Sequence, residues 1–359
     1  MQVLFYIIGY LSVALVCVLI TFYGERKLAA FIQDRLGPMV AGKYGWLQAI
    51  ADVLKLFQKE ELLHTGIIKP WFQMAPVIVF VAVFAGLAML PIAPGIIPIE
   101  SSVGVYFLLA IVSLDVLGIV LAGWGSNSKF SVFGALRGAS QLVSYEIPLG
   151  ICVLAIVLQV GSLNLSEIAL AQGTGGNQYL FGLEQLGIST ANVGGIVNWN
   201  IIQYPFSIVL FVVFYIATLA ECNRAPFDLP EGESELVSGF HTEYSGFRFA
   251  LFFLAEYTMM FLLSAVAVVL FLGAGHTPFP NIGSFELAYY TGGTPGTIWH
   301  TLIGLFWMLS KTLVLTNLQV VIRWTYPRLR ADQLVTLCWK YLIPIALAGL
   351  LVSALWKVL

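Results

Sequence analysis

Charge is scarce in this sequence. Of 359 residues only 10% are Asp, Glu, Lys or Arg, against 59% hydrophobic, and mean hydropathy is +0.90. Soluble domains carry about 25% charged residues. A water-facing surface cannot be built from so little charge, and a polytopic membrane protein is expected. Metal-ligand patterns are missing too. The four cysteines (Cys17, Cys152, Cys222, Cys338) form no CxxC pair, and the four histidines (His64, His241, His276, His300) show no HxxxH or HxxE spacing. That leaves no ligand set for a metal or an iron–sulfur cluster, and the thiols read as small core hydrophobes. No Gly-rich loop follows a strand pattern, which argues against a bound nucleotide. No basic tract with interleaved aromatics accompanies the net charge of −2, which argues against nucleic acid.

What the chain has is long apolar runs. Hydropathy gives eight, at about 3–23, 74–93, 103–124, 146–161, 204–221, 248–272, 299–322 and 341–358. Most approach the ~20 residues that cross a ~30 Å hydrocarbon core, and the short fourth is expected to start a few residues earlier. The runs are continuously apolar rather than alternating, so helices are expected and a β-barrel is not. The first run lacks a basic start and a small-residue cleavage site, and reads as a span rather than a signal peptide. The expected fold class is an all-α polytopic membrane protein: one integral domain over 1–359, eight transmembrane helices, and cytoplasmic amphipathic helices and loops at about 24–73, 125–145, 222–247 and 323–340. Those four segments and the ends of the spans beside them hold 15 of the 17 Lys and Arg. The other three loops hold none, so the basic loops are expected to face the cytoplasm and both termini the opposite side. Residues 126–145 have the spacing of an amphipathic surface helix. Residues 162–203 and 273–298 read as irregular external excursions. The two halves show no matching broken helices of the transporter type.

One loop gathers acids. "AECNRAPFDLPEGESELVSGFHTEYSG", Ala220–Gly246, carries Glu221, Asp228, Glu231, Glu233, Glu235 and Glu243 against a single Arg. Asp228-Leu-Pro-Glu231 has the form of a capping box, which would start a helix and put Glu231 and Glu235 on one face. Read blandly, this is a solvated helix start favoured by the macrodipole. Against that, acids continue into the spans. Asp115 lies in the middle of the third, Glu146 at the start of the fourth, Glu221 at the end of the fifth and Glu256 within the sixth. An ionised carboxylate at the bilayer centre costs at least about 2.5–3.5 kcal/mol, so such groups face the protein interior and usually serve ions or protons. Phe227, Leu236, Phe240 and Tyr244 in the loop also have little use in water. Glu221, Glu231, Glu235 and Glu256 are the candidate proton-handling groups. Lys311, inside the seventh span, is a candidate partner for Asp115, with a plain structural ion pair as the alternative.

The first basic loop, Gly24–Gly66, mixes both signs of charge with apolar residues. Leu47–Lys59 has helical spacing of Leu47, Ile50, Val53, Leu54 and Phe57. It suits an anchor on anionic lipid, or a docking surface for other subunits that also lines a cavity.

Four blocks carry a resemblance: Gly24–Glu61, "GWGSNSKFSVFGALRGASQLVSYEIPLG" at Gly123–Gly150, Ala220–Tyr257, and "SKTLVLTNLQVVIRWTYPRLRADQL" at Ser310–Leu334. Over nearly its whole length the chain resembles the H subunit of bacterial respiratory complex I, the proton-pumping NADH:quinone oxidoreductase, and mitochondrial NADH dehydrogenase subunit 1. The resemblance implies a bacterial inner-membrane subunit that anchors the peripheral arm. With peripheral quinone-site and iron–sulfur subunits it would enclose a quinone chamber open to lipid. Quinone, ubiquinone or menaquinone, would be the substrate, with no metal or flavin in this chain and small membrane subunits next to the antiporter-like chain as further partners. The implied chamber residues are Arg26, Gln33, Arg35, Asp52, Lys55 and Glu60, with Arg328 and Arg330 after the seventh span. The implied proton path is Glu146, Glu221, Asp228, Glu231, Glu233, Glu235 and Glu256. No residue of this chain is implied to be directly catalytic. Residues 162–203 depart from the compact form expected there. The alternatives are the ion-translocating subunit of a membrane-bound hydrogenase, disfavoured by the full acidic motif, and a stand-alone transporter, disfavoured by the missing repeats.

Overall fold

The computed structural model describes residues 2–97, 99–174, 179–182, 189–190, 192–281, 285–293 and 296–358. The side chains of residues 2–7 and 233–234 also lie outside that description, and with them the expected role of Glu233. Among the described residues there is no β-strand, only two isolated bridges. The protein is an all-α polytopic membrane protein. Its helices are α1 (Gln2–Ile32), α2 (Gln48–Gln58), α3 (Lys69–Leu87), α4 (Gly104–Val112), α5 (Leu114–Ser126), α6 (Lys129–Val160), α7 (Leu165–Ala171), α8 (Asn200–Gln203), α9 (Ser207–Glu221), α10 (Glu233–Leu236), α11 (Gly246–Phe271), α12 (Leu287–Gly292), α13 (Ile298–Thr325), α14 (Ala331–Thr336) and α15 (Ile343–Val358).

Among the described residues seven helical segments are long and apolar enough to cross a bilayer. The fifth expected span is α9, whose 15 residues reach only about 22 Å at 1.5 Å per residue. The third is α4 and α5 joined through a break at Ser113. The last joins α14 to α15 through a π-helical segment, Leu337–Leu342. Residues 126–145 do not lie along the surface as a separate helix. From Lys129 they are the first half of α6, a 32-residue helix about 48 Å long, and Glu146 sits midway along it rather than at its start.

Helix α11 forms the core. Every residue from Tyr257 to Phe271 is buried, as expected for a helix that is apolar all round. Around it the helices approach through small residues. A Cβ on Gly125 of α5 would stand 2.6 Å from the Phe72 backbone nitrogen of α3, and one on Gly86 of α3 would stand 2.8 Å from Leu262 of α11. Contacts of this kind replace the hydrophobic drive that lipid does not supply. At the far end of α11, Lys311 of α13 donates to the carbonyls of Leu272, Ala274 and His276 at 2.8, 2.9 and 2.6 Å and lies over the Trp199 ring. Lys311 therefore caps a helix C-terminus and does not pair with Asp115.

At the other end, Gln141 of α6 is fully buried. Its amide donates to the carbonyls of Ala220 and Phe227, both at 2.7 Å. One side chain thereby fastens the end of α9 and the segment that follows it to α6. Gln141→Leu would leave the buried Phe227 carbonyl without that donor, at about 1–3 kcal/mol, and the Ala220 carbonyl with backbone donors alone. We expect the purified assembly to melt at a clearly lower temperature; an unchanged melting temperature would refute this account of the anchor.

Candidate functional site

The acid-rich segment between α9 and α11 is folded back as turns, not started as a helix at Asp228. Its backbone lies directly on α6. A Cβ on Gly134 would stand 2.8 Å from the Pro230 carbonyl oxygen and from Gly239 Cα, and Gly138 faces the Pro230 ring. Pro230 is thus held against a helix face of glycines, and the helix it was expected to join begins only at Glu233, behind Gly232 at φ 36°. The expected shared face is lost as a result. Glu231 turns inward to within 3.5 Å of His241 Nε2. Glu235 is exposed and bonded to Arg137 of α6 at 2.5 Å.

Immediately after α9, Arg224 enters the interior with 3% exposure. Its Nε is 3.2 Å from Glu256 of α11, its Nη1 is 3.8 Å from Glu25 of α1, and its guanidinium carbon is 4.2 Å above the Tyr257 ring. Glu25, 4% exposed, also accepts from Tyr257 Oη at 2.6 Å and from Arg323 of α13 at 2.5 Å. A buried guanidinium cannot shed its proton and must be paired. Glu25, Arg224 and Arg323 escape notice in the sequence because they stand beside span ends, where they count as ordinary loop charge. Burial pushes the Asp228 carboxyl up to about 7, with the neighbouring Glu231 charge adding to it against the pull of Arg328, Arg323 and Arg224. Burial raises Glu231 as well, but contact with His241 and the nearby arginines outweigh it and hold that carboxyl below its usual range. The Arg137 hydrogen bond and charge lower Glu235.

Four acids from four different elements line one cavity of about 30 Å³: Asp115 (α5), Glu221 (α9), Glu231 (loop) and Glu256 (α11), with His241 and Asn223 beside them. That volume holds one or two waters. Both carboxylate oxygens of Glu221 are buried without a hydrogen-bond partner in the chain, and so is Glu146 Oε1. A second cavity, of about 270 Å³, lies beside the Ser113 break and is lined by Glu146 and Glu221. Glu221 is therefore the wall common to both.

The residues expected around a chamber are less closely gathered. Arg26 is paired with Asp52 at 2.5 Å, Asp52 accepts from Gln48, and Arg26 covers the Phe22 ring. Arg35 donates to Gln33 at 2.8 Å, with both exposed. Lys55 and Glu60 are exposed on and after α2. Arg328 is half-buried beside Gly232 and Asp228, whereas Arg330 is exposed and its backbone N–H bonds Gln333 at the start of α14. Between α1 and α13 runs an apolar groove of about 840 Å³, lined by Leu28, Phe31, Leu36, Val314 and Leu318, with Lys27, Arg35 and Asn317 as its polar members. Among the described residues no cluster of His, Cys, Asp and Glu has metal-binding geometry.

Residues 5–354 match the family described as NADH dehydrogenase. The chain is 54% identical over 361 residues to an NADH-quinone oxidoreductase H subunit of Cytophaga hutchinsonii, covering 99% of each chain. It is 44% identical to the NADH-quinone oxidoreductase H subunit of Chlorobium luteolum, over 94% of this chain and 84% of that one. Against the corresponding H subunit of Bacteroides fragilis the figures are 41%, 97% and 89%. With a buried arginine between helices, four carboxylates on one cavity and relatives matched along nearly their full length, the chain belongs to the NADH dehydrogenase family, among the H subunits of NADH-quinone oxidoreductase.

Proposed function

We propose that this membrane subunit of NADH-quinone oxidoreductase forms one wall of the quinone chamber and carries the carboxylate path that couples quinone reduction to proton translocation. The observation that carries this reading is the position of Glu221 in both cavities. One cavity adjoins the loop and its ion pairs. The other adjoins Glu146 and the break in the third span. The groove between α1 and α13 suits an isoprenoid tail from lipid, with Arg35 in its wall and Gln33 bonded to Arg35; the Arg26–Asp52 pair completes the chamber residues of this reading. Lys55, Glu60, Arg328 and Arg330 present charge toward the peripheral quinone-site and iron–sulfur subunits. The cavity at Ser113 faces the small membrane subunits. In this arrangement the acid loop is cytoplasmic and both termini lie across the membrane, as the basic loops direct.

The coupling is electrostatic. Quinone reduction consumes protons and changes charge beside Arg26 and Asp52. Glu25 is the next residue to Arg26 and shares Arg224 with Glu256. A change in the hold of Glu25 on Arg224 alters what Arg224 offers Glu256, and with it the proton affinity of that carboxylate. Protons then redistribute among Asp228, Glu231, Glu256, Glu221, Asp115 and Glu146 through the two cavities. Glu235 acts from the surface through Arg137, and Glu233 belongs to the same stretch.

Two outcomes test this. Glu221→Gln in the assembled complex, reconstituted in liposomes, should lower coupled NADH:quinone turnover and pumping about tenfold, less than is typical for a group that protonates substrate directly. NADH oxidation by an artificial acceptor that bypasses quinone should be unchanged. Wild-type pumping in this variant would contradict the reading. The Asp228 carboxyl, raised to about 7 in the fold, binds its proton more tightly folded than unfolded, so its contribution to stability falls as pH rises from about 4 to 7. Asp228→Asn removes that dependence. Its melting temperature relative to wild type should rise with pH up to about 7 and level off above; a difference independent of pH would refute the shift.

A further inference from the structure

Glu231 is the loop acid that reaches the carboxylate cavity, and it does so beside a histidine. His241 Nε2 is 3.5 Å from the Glu231 carboxylate. The ring is 8% exposed and packed among aromatics, with centroids 3.8 Å from Phe240, 5.0 Å from Phe252 and 5.6 Å from Phe249. The opposite ring nitrogen, Nδ1, is buried with no hydrogen-bond partner in the chain. The same side chain lines the cavity of about 30 Å³ that holds Asp115, Glu221 and Glu256.

Packing alone does not account for this choice. A phenylalanine or leucine would fill an aromatic nest without leaving a buried polar nitrogen unpaired, which is costly. Imidazole is the side chain that can accept a proton at one nitrogen and release one from the other. Here one nitrogen faces the loop acid, and the ring borders a cavity roomy enough for water and lined by acids from α5, α9 and α11.

We propose that His241 relays protons between Glu231 and the intramembrane carboxylates. The proposal rests on the carboxylate path set out above and names the group that joins its loop half to its membrane half. In the forward step a proton delivered to the Glu231 carboxylate passes on to Nε2. The imidazolium then gives its Nδ1 proton to a water in the cavity. That water passes a proton to the carboxylate of Glu256 or Glu221, and the ring regains its starting tautomer when its remaining N–H proton exchanges from Nε2 to Nδ1 through cavity water. One proton enters and one leaves, and no electron moves.

The test compares His241→Gln, Glu231→Gln and the double variant in the assembled complex in liposomes. The glutamine amide keeps a donor toward Glu231 but does not titrate, and His241→Asn replaces it if the first variant does not assemble. Coupled turnover and pumping should fall about fivefold in His241→Gln, with artificial-acceptor activity at the wild-type level. The double variant should be no slower than the slower single variant, because both block one route, and the melting temperature of the assembled complex should stay at the wild-type value, whereas a merely structural role would lower it along with pumping. Wild-type pumping in the amide variants with a loss in Glu231→Gln overturns the relay and leaves the path standing, as do multiplying losses. Wild-type pumping in every variant overturns the path itself.

Discussion

Arg224 places a permanent charge where the protein has almost no water. Its guanidinium is 3% exposed, and two carboxylates from helices far apart in sequence, Glu25 and Glu256, stand on either side of it. An unpaired charge there would cost several kcal/mol, so α1, α11 and the end of α9 are obliged to meet at this point. Gln141 then fastens the rest of the segment to α6. The pairing fixes geometry and at the same time ties two acids to one cation. Whatever changes the charge on Glu25 is felt at Glu256, which makes a structural requirement available for coupling.

The acids of the proposed path come from elements that each contribute one. Asp115 comes from the first turn after the Ser113 break, Glu221 from the last residue of a short helix, Glu256 from the buried core helix, and Glu146 from the middle of α6. The shortness of α9 matters here. At about 22 Å it is shorter than a ~30 Å hydrocarbon core, and its last residue, Glu221, stands between two cavities rather than at a surface. The break at Ser113 opens the third span beside that same acid.

Much of this was legible in the sequence, for physical reasons that can be named. Continuous apolar runs gave the positions of the spans, and the insertion cost of a carboxylate marked Asp115, Glu146, Glu221 and Glu256 as inward-facing. The local pattern misled where tertiary contact overrides it. Asp228-Leu-Pro-Glu231 has capping-box spacing, yet Pro230 is held against Gly134 and Gly138 of α6 and no helix starts there. Residues 129–145 looked amphipathic because one face carries the acid loop, not because they lie on a membrane surface. Charge alone pairs Lys311 with Asp115, whereas its partners in the fold are backbone carbonyls. Glu25, Arg224 and Arg323 were invisible as a group, since only the fold brings residues about two hundred to three hundred positions apart within ion-pair distance.

On this mechanism, reducing quinone changes the protonation of carboxylates buried in this chain. Redox-induced infrared difference spectra of the assembled complex report it directly, through the C=O stretch of protonated carboxyl groups. A carboxyl band should appear or shift on quinone reduction and be lost in Glu256→Gln, while the bands of the quinone itself remain. A difference spectrum with no carboxyl signal, or one that Glu256→Gln leaves untouched, would contradict it.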